Sequence, residues 1–205
     1  MLTRRLILVL LGLLVLPLIA GAKESSSEYA TLVSSLKAGN TNIDYTRLRM
    51  SYVDSPERKH VKDVSAAEKA MFQALGAKDY AATLKNAETV LASEYVNLDA
   101  HFAAYVANHE MGAADKAEFD KAVFRGLIDS IRGSGDGRSP QTAWVVISVH
   151  EEYVLLRVLG FKLSSQGLVQ KDGHFYDVMK VKSAEDGTEE TFYFNTDIPM
   201  KDEKL

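Results

Sequence analysis

The sequence predicts an α+β protein in which N-terminal antiparallel helical hairpins pack on a C-terminal β-α-β-β-β, mostly antiparallel sheet. Three observations predict it. Up to residue 132, apolar residues recur at helical spacing between short polar turns. The stretch Gly133-Ser134-Gly135-Asp136-Gly137-Arg138-Ser139-Pro140 is too rich in Gly, Ser and Pro for helix or strand. Beyond it come a continuous apolar run, Ala143-Trp144-Val145-Val146-Ile147, and short segments parted by Asp-Gly turns. The expected organisation is a leader over 1–22, a helical region over 23–132, a connection over 133–142, an α+β region over 143–199 and a polar tail over 200–205.

The leader places Arg4 and Arg5 before an apolar run from Leu6 to Ile19, followed by Ala20-Gly21-Ala22. That order is the order of a secretory signal. The run is shorter than the roughly 20 residues of a spanning helix. Cleavage is expected after Ala22, delivering the protein to the periplasm or the extracellular medium. Membrane contact is then limited to the leader before cleavage, with a retained anchor as the alternative. Removal takes two basic residues and no acid, moving the net charge from −4 to about −6. With no cysteine, the chain has neither disulfides nor thiolate chemistry, and packing alone must hold it. Mild acidity without a basic run in the sequence argues against a nucleic-acid partner.

In the helical region, Tyr29, Leu32, Val33 and Leu36 share one helical face, and Gly39-Asn40 ends that helix. Asp44 is the expected N-cap of a second helix carrying Tyr45, Leu48 and Tyr52, stopped by Ser55-Pro56. The charged segment Glu57–Asp63 reads as a solvated connection. Ser65 and Glu68 fit a capping box for a helix with Met71, Phe72 and Leu75 on its apolar face and Gly76 at its end. Three further stripes follow: Tyr80, Leu84, Ala87 and Leu91; Leu98, Phe102, Tyr105 and His109, closing near Gly112; then Phe119, Val123, Leu127 and Ile131. Turns this short make the helices antiparallel.

In the α+β region, Trp144–Ser148 is apolar on both faces, as a central strand would be. Ser148 and Glu151 form a second expected capping box, opening a helix through Val149, Tyr153 and Leu156 that stops at Gly160. Strands are expected over Lys162–Gln170, His174–Lys182 and Glu190–Asn195, with tight turns at Asp172-Gly173 and Asp186-Gly187.

Few residues point to chemistry. Gly133–Gly137 lacks the Lys-Ser/Thr of a phosphate loop and precedes a strand, so the plain reading is a turn in which Asp136 bonds nearby amides. The five histidines, His60, His101, His109, His150 and His174, show no zinc spacing. His109 continues an apolar stripe and is expected in the core. Glu151 and Glu152 open a helix, where they complement its dipole. Asp177 falls on the strand face that alternation buries, between Phe175 and Met179, with His174 on the same strand. There its carboxylate is a candidate acid, base or ligand contact, against a plainer role of bonding loop backbone. Asp136, Glu152, His174 and Asp177 are therefore the candidate binding residues. No catalytic constellation, metal set or cofactor is implied.

Two resemblances follow. Leu75-Gly76 with Asp79-Tyr80, Ala87, Leu91 and Asp99-Ala100-His101 resembles about one and a half tetratricopeptide units, with Thr83 and Tyr95 departing from the pattern. Three units are needed to stand alone, so these helices are expected to lean on the C-terminal half, leaving less free groove for a peptide. Across the chain, Asp44-Tyr45 with Leu48-Arg49 and Tyr52, Ser134-Gly135-Asp136-Gly137 with Ser139-Pro140, Glu151-Glu152-Tyr153 with Leu159-Gly160, Tyr176-Asp177-Val178-Met179, and Tyr193-Phe194-Asn195 with Asp197-Ile198-Pro199 resemble the bacterial domain-of-unknown-function family numbered 4919. That resemblance implies an exported protein of this organisation and transfers no activity. The expected function is a non-catalytic periplasmic binding or scaffolding protein for a protein or peptide. One alternative is a small hydrolase using Asp177 and His174 in a pocket between helices and sheet. The other is an inhibitor or protective partner of a secreted protein.

Overall fold

A computed structural model describes residues 27–59 and 63–202. The leader, its Ala-x-Ala site, His60 and residues 203–205 lie outside the described residues. The front half holds α1 (Glu28–Lys37), α2 (Tyr45–Val53), α3 (Pro56–Lys59), α4 (Ser65–Gly76), α5 (Tyr80–Ser93), α6 (Leu98–Glu110) and α7 (Ala114–Arg132). Each of α4 to α7 packs on the next, while α1 pairs with α2 and α2 lies on α7. A Cβ on Gly126 of α7 would sit 2.3 Å from the Tyr45 ring, so glycine sets how closely α2 approaches.

Residues 133–143 turn the chain into the second half. Gly137, at φ +69°, accepts from the Tyr193 amide and donates to the Thr142 carbonyl. Then follow β1 (Trp144–Val145), α8 (Val149–Val158), β2 (Phe161–Lys171), β3 (His174–Ser183), β4 (Glu189–Asn195) and α9 (Asp197–Asp202). The sheet order is β1-β4-β3-β2, with β1 parallel to β4 and the other pairs antiparallel. Asp172 and Gly173, both with positive φ, close the β2–β3 hairpin, the geometry such two-residue turns require.

One apolar core spans both halves. It joins Tyr29 and Leu36 of α1, Leu48 and Tyr52 of α2, Val123, Leu127 and Ile131 of α7, Val154 and Leu155 of α8, and Met179, Val181, Phe192 and Phe194 of the sheet. A smaller cluster of Met71, Ala87, Val90, Ala100, Ala103 and Ala104 closes α4, α5 and α6 on one another. The tetratricopeptide-like helices expected to lean on the sheet half pack mainly on one another. They reach that half where α6 begins, at Leu98 and against α8, while α1, α2 and α7 carry most of the joint.

Several local expectations are corrected. Trp144-Val145 is a two-residue edge strand and not a central one, because Ser148 caps α8 at once and turns the chain away. Ser65 caps nothing: its hydroxyl donates to Asp63, and Glu68 instead accepts from Asn97. Residues 57–59 of the expected connection, with Pro56 before them, form a helical turn, and the expected tail contributes Met200–Asp202 to α9. On α6 the buried face is Leu98, Ala100, His101, Ala103, Ala104 and Ala107, whereas Phe102 and His109 are exposed. His101, not His109, is the core histidine. Its Nδ1 meets Asp120 at 3.1 Å and its Nε2 meets the Tyr95 carbonyl at 3.0 Å.

Candidate functional site

Helix α8 opens on the Ser148 hydroxyl, which accepts from the Glu151 amide as the capping box requires. The reciprocal half is absent. Glu151 is 3 % exposed and its carboxylate accepts from Arg49 Nε at 2.9 Å, Arg49 Nη2 at 2.6 Å and the Ile147 amide at 2.9 Å. Arg49, 1 % exposed, also donates to Ser130 Oγ and the Val145 carbonyl. One guanidinium therefore ties α2, α7, β1 and α8 together.

The next residue points the other way. Glu152 is fully buried; among the described residues no group donates to either carboxyl oxygen, and the neighbouring Asp177 carboxyl is the acceptor for its proton. Burial, reinforced by the neighbouring Asp177 and Glu151, pushes its pKa up to about 9, so at neutral pH it is a protonated acid. Asp177, 6 % exposed, accepts from Gln166 Nε2 at 2.6 Å, and Gln166 Oε1 accepts from the Tyr153 hydroxyl at 2.5 Å. Both acids stand in the first turn of α8, as the helix-dipole role expects, yet both side chains enter the core. There Glu151 is paired with Arg49, and the raised pKa of Glu152 leaves it little charge to offer. The plain role expected of Asp177 is also revised: its donor is the Gln166 side chain of the paired strand.

The other two candidates lie elsewhere. Strand alternation puts His174 on the face opposite Asp177; its ring contacts Tyr176 and its Nδ1 meets Asp197 at 2.5 Å. Hence the pocket joining Asp177 and His174 does not assemble on this strand. Asp136 accepts from the Arg138 amide at 2.9 Å, the turn role read from its sequence, and the Thr142 hydroxyl, with that amide, holds its carboxyl below the usual range. Of the four residues, only Glu152 and Asp177 meet.

A small cavity of about 180 Å³ lies where α6 and α8 begin, lined by Glu68, Glu94, Asn97, Ser148, His150 and Glu151 among others. His150 Nε2 meets Asp99 Oδ2 at 2.7 Å, and this bond raises the imidazole pKa. Burial raises Glu94. Two helix N-termini are compensated here by the protein's own acids, so the cavity is poorly suited to an anion. Among the described residues, no group of three or more His, Asp or Glu side chains could hold a metal ion.

A larger groove, of about 910 Å³, runs between α1 and α5. Its floor is Tyr29, Val33, Leu91 and Tyr95, and Lys37 and Lys85 stand on its rim. Tyr95 donates its amide to the Tyr29 hydroxyl at 3.2 Å, and the Lys37 ammonium lies 5.2 Å from the Tyr95 ring centre. Burial raises the pKa of both phenols, Tyr95 to about 12. α1 pairs with α2, and its other flank lines the groove toward α5. Sequence reasoning missed the floor, although Tyr95, standing where the tetratricopeptide pattern has another residue, was a visible signal. Arg49 was legible too, since it lies on the same helical face as Tyr45 and Tyr52.

The family described as Domain of unknown function (DUF4919) matches residues 20–204, and the chain belongs to that family. No curated protein and no solved structure matches the chain.

Proposed function

We propose that this protein is an exported, non-catalytic binding or scaffolding protein that holds an apolar segment of another protein in the groove between α1 and α5. The single observation that carries this reading is the groove itself. Its volume of about 910 Å³ falls within the few hundred to one thousand Å³ typical of ligand sites. Its accessible apolar lining, Ala30, Val33, Leu91 and Ala92, offers contact area above the buried rings of Tyr29 and Tyr95. Export rests on the order of the leader: Arg4 and Arg5, a short apolar run, then Ala20-Gly21-Ala22.

The test uses residues 23–205 and a displayed peptide library. Enriched peptides should carry apolar anchors and lose at least about tenfold in affinity on Ala92→Glu or Val33→Glu, which narrow the groove at an exposed and a half-buried position. Circular dichroism should show both variants folded. A library that enriches nothing, or peptides indifferent to both variants, would refute the groove as the site.

A further inference from the structure

Strand β2 is the anomaly of the fold. It is 11 residues long, about twice the usual strand, and from Lys162 to Lys171 every residue is exposed. Among the described residues it ends the sheet order and pairs on one side only, with β3. Leu163, Leu168 and Val169 are 40 %, 53 % and 46 % exposed. Register with β3 places Leu163, Gln166 and Leu168 on the face toward α8, where Tyr153 is 40 % exposed and bonds Gln166. An open backbone edge and an apolar strip thus lie side by side. Proteins ordinarily suppress such an edge by making it short, bent or covered.

Charge says what covers it. The face turned away from α8 carries Lys162 and Lys171 of β2 and Lys180 and Lys182 of β3, all exposed. Strand β2 has no acidic residue, and the one acid of β3, Asp177, is on the other face. Lys162 and Lys182 are direct partners across the ladder, an arrangement of like charges that weakens a sheet by itself. Only Lys182 has an acidic neighbour in the ladder, Glu189, at 3.7 Å. A second copy of the chain is the wrong occupant. Antiparallel β2–β2 pairing over most of the strand would set Lys162 of one copy against, or one place from, Lys171 of the other.

We propose that β2 docks an extended, acidic segment of a partner protein, which adds a strand to the sheet and covers Leu163, Leu168 and Val169. Main-chain bonds along the free edge supply affinity, and carboxylates opposite the lysines set register and choice of partner. This surface is separate from the groove between α1 and α5, so either can fail alone. A protein with both surfaces bridges two partners, which is what scaffolding requires.

The experiment titrates residues 23–205 with a synthetic peptide alternating Glu with Val and Thr, its Lys-for-Glu counterpart, and a thymidine oligonucleotide. Binding is read by fluorescence anisotropy and by hydrogen exchange of backbone amides. The acidic peptide should bind, protect β2 amides and weaken by about tenfold in high salt. Lys162→Glu combined with Lys171→Glu should abolish binding without lowering the thermal unfolding temperature, since the first change relieves the repulsion with Lys182. Leu168→Lys should weaken binding. The proposal is overturned by equal binding of the Lys peptide, by protection outside β2, or by no binding. Preference for the oligonucleotide would overturn it in favour of a phosphate-binding face. Concentration-dependent dimerisation lost on Leu168→Lys would overturn it in favour of self-association.

Discussion

Glu151 and Glu152 are adjacent on α8, equally hidden from water, and face opposite layers of the molecule. Glu151 turns toward the helices and meets a guanidinium and a backbone amide. Glu152 turns toward the sheet and meets only another acid, Asp177, with no donor for either of its oxygens. The difference shows two ways of burying a carboxyl. One keeps the charge and surrounds it with donors; the other gives up the charge and keeps the proton. The helical layer is fastened by the first. The sheet layer tolerates the second, and it is also the layer whose outer strand, β2, is bare.

The largest effect comes from breaking the fastened side. Arg49→Met leaves Glu151 buried without its cation and strips donors from Ser130 and Val145. Removing one partner of a buried pair typically costs about 3–5 kcal/mol, and urea denaturation should show a loss of that order. Replacing both partners, Arg49→Met with Glu151→Leu, should recover much of it, because no charge is then stranded. A loss under about 1 kcal/mol for the single change would show that the Arg49 pair does not hold the layers together.

Changing the other side should have the opposite sign. An unfolded Glu152 ionises in the ordinary carboxylate range, while the native residue holds its proton up to about pH 9. The native state then binds more protons than the unfolded one between those values, so stability falls as pH rises across that window, by at most about 1.4 kcal/mol per pH unit. Glu152→Gln removes the titration. The variant should be more stable than the parent at pH 8, by roughly 1–3 kcal/mol, with the difference shrinking toward pH 4. Parallel stability curves for the two proteins would mean that Glu152 is ionised in the native fold.

How much of this the sequence shows depends on which signal a residue leaves. Helix caps at Asp44 and Ser148 and the Asp172-Gly173 turn are local, and there the local signal suffices, although the same signal misplaces a cap at Ser65. The register of α6 is not local. Close packing of α5, α6 and α7 needs small residues, so Ala100, Ala103, Ala104 and Ala107 take the inner face while the larger Phe102 is left outside. An apolar stripe read from side-chain size picks the wrong side. Asp177 is legible as a buried acid by alternation, but its companion comes from α8, and no pattern along one strand reveals a contact with another element. The lysines at 162, 171, 180 and 182 look scattered until pairing of β2 with β3 sets them on one face.

The smallest effect lies one residue before the paired and unpaired acids, at His150. Its Nε2 meets Asp99, which Arg157 also engages, and Glu68 of α4 adds a further favourable charge while Arg157 opposes it. The Asp99 bond raises the imidazole pKa in the folded state, so the stabilisation is fully present below the ordinary histidine pKa and fades as pH rises through the raised one. The side chain is 48 % exposed, and screening by solvent leaves the pair worth only a few tenths of a kcal/mol. His150→Gln should therefore lower stability slightly at pH 5.5 and not at pH 8.5, a dependence opposite to that of Glu152→Gln, whose effect grows with pH. If both variants track the parent at the acid end and diverge only at the alkaline end, His150 carries no charge in the fold, and the joint between α6 and α8 is held by Asp99 and Arg157 alone.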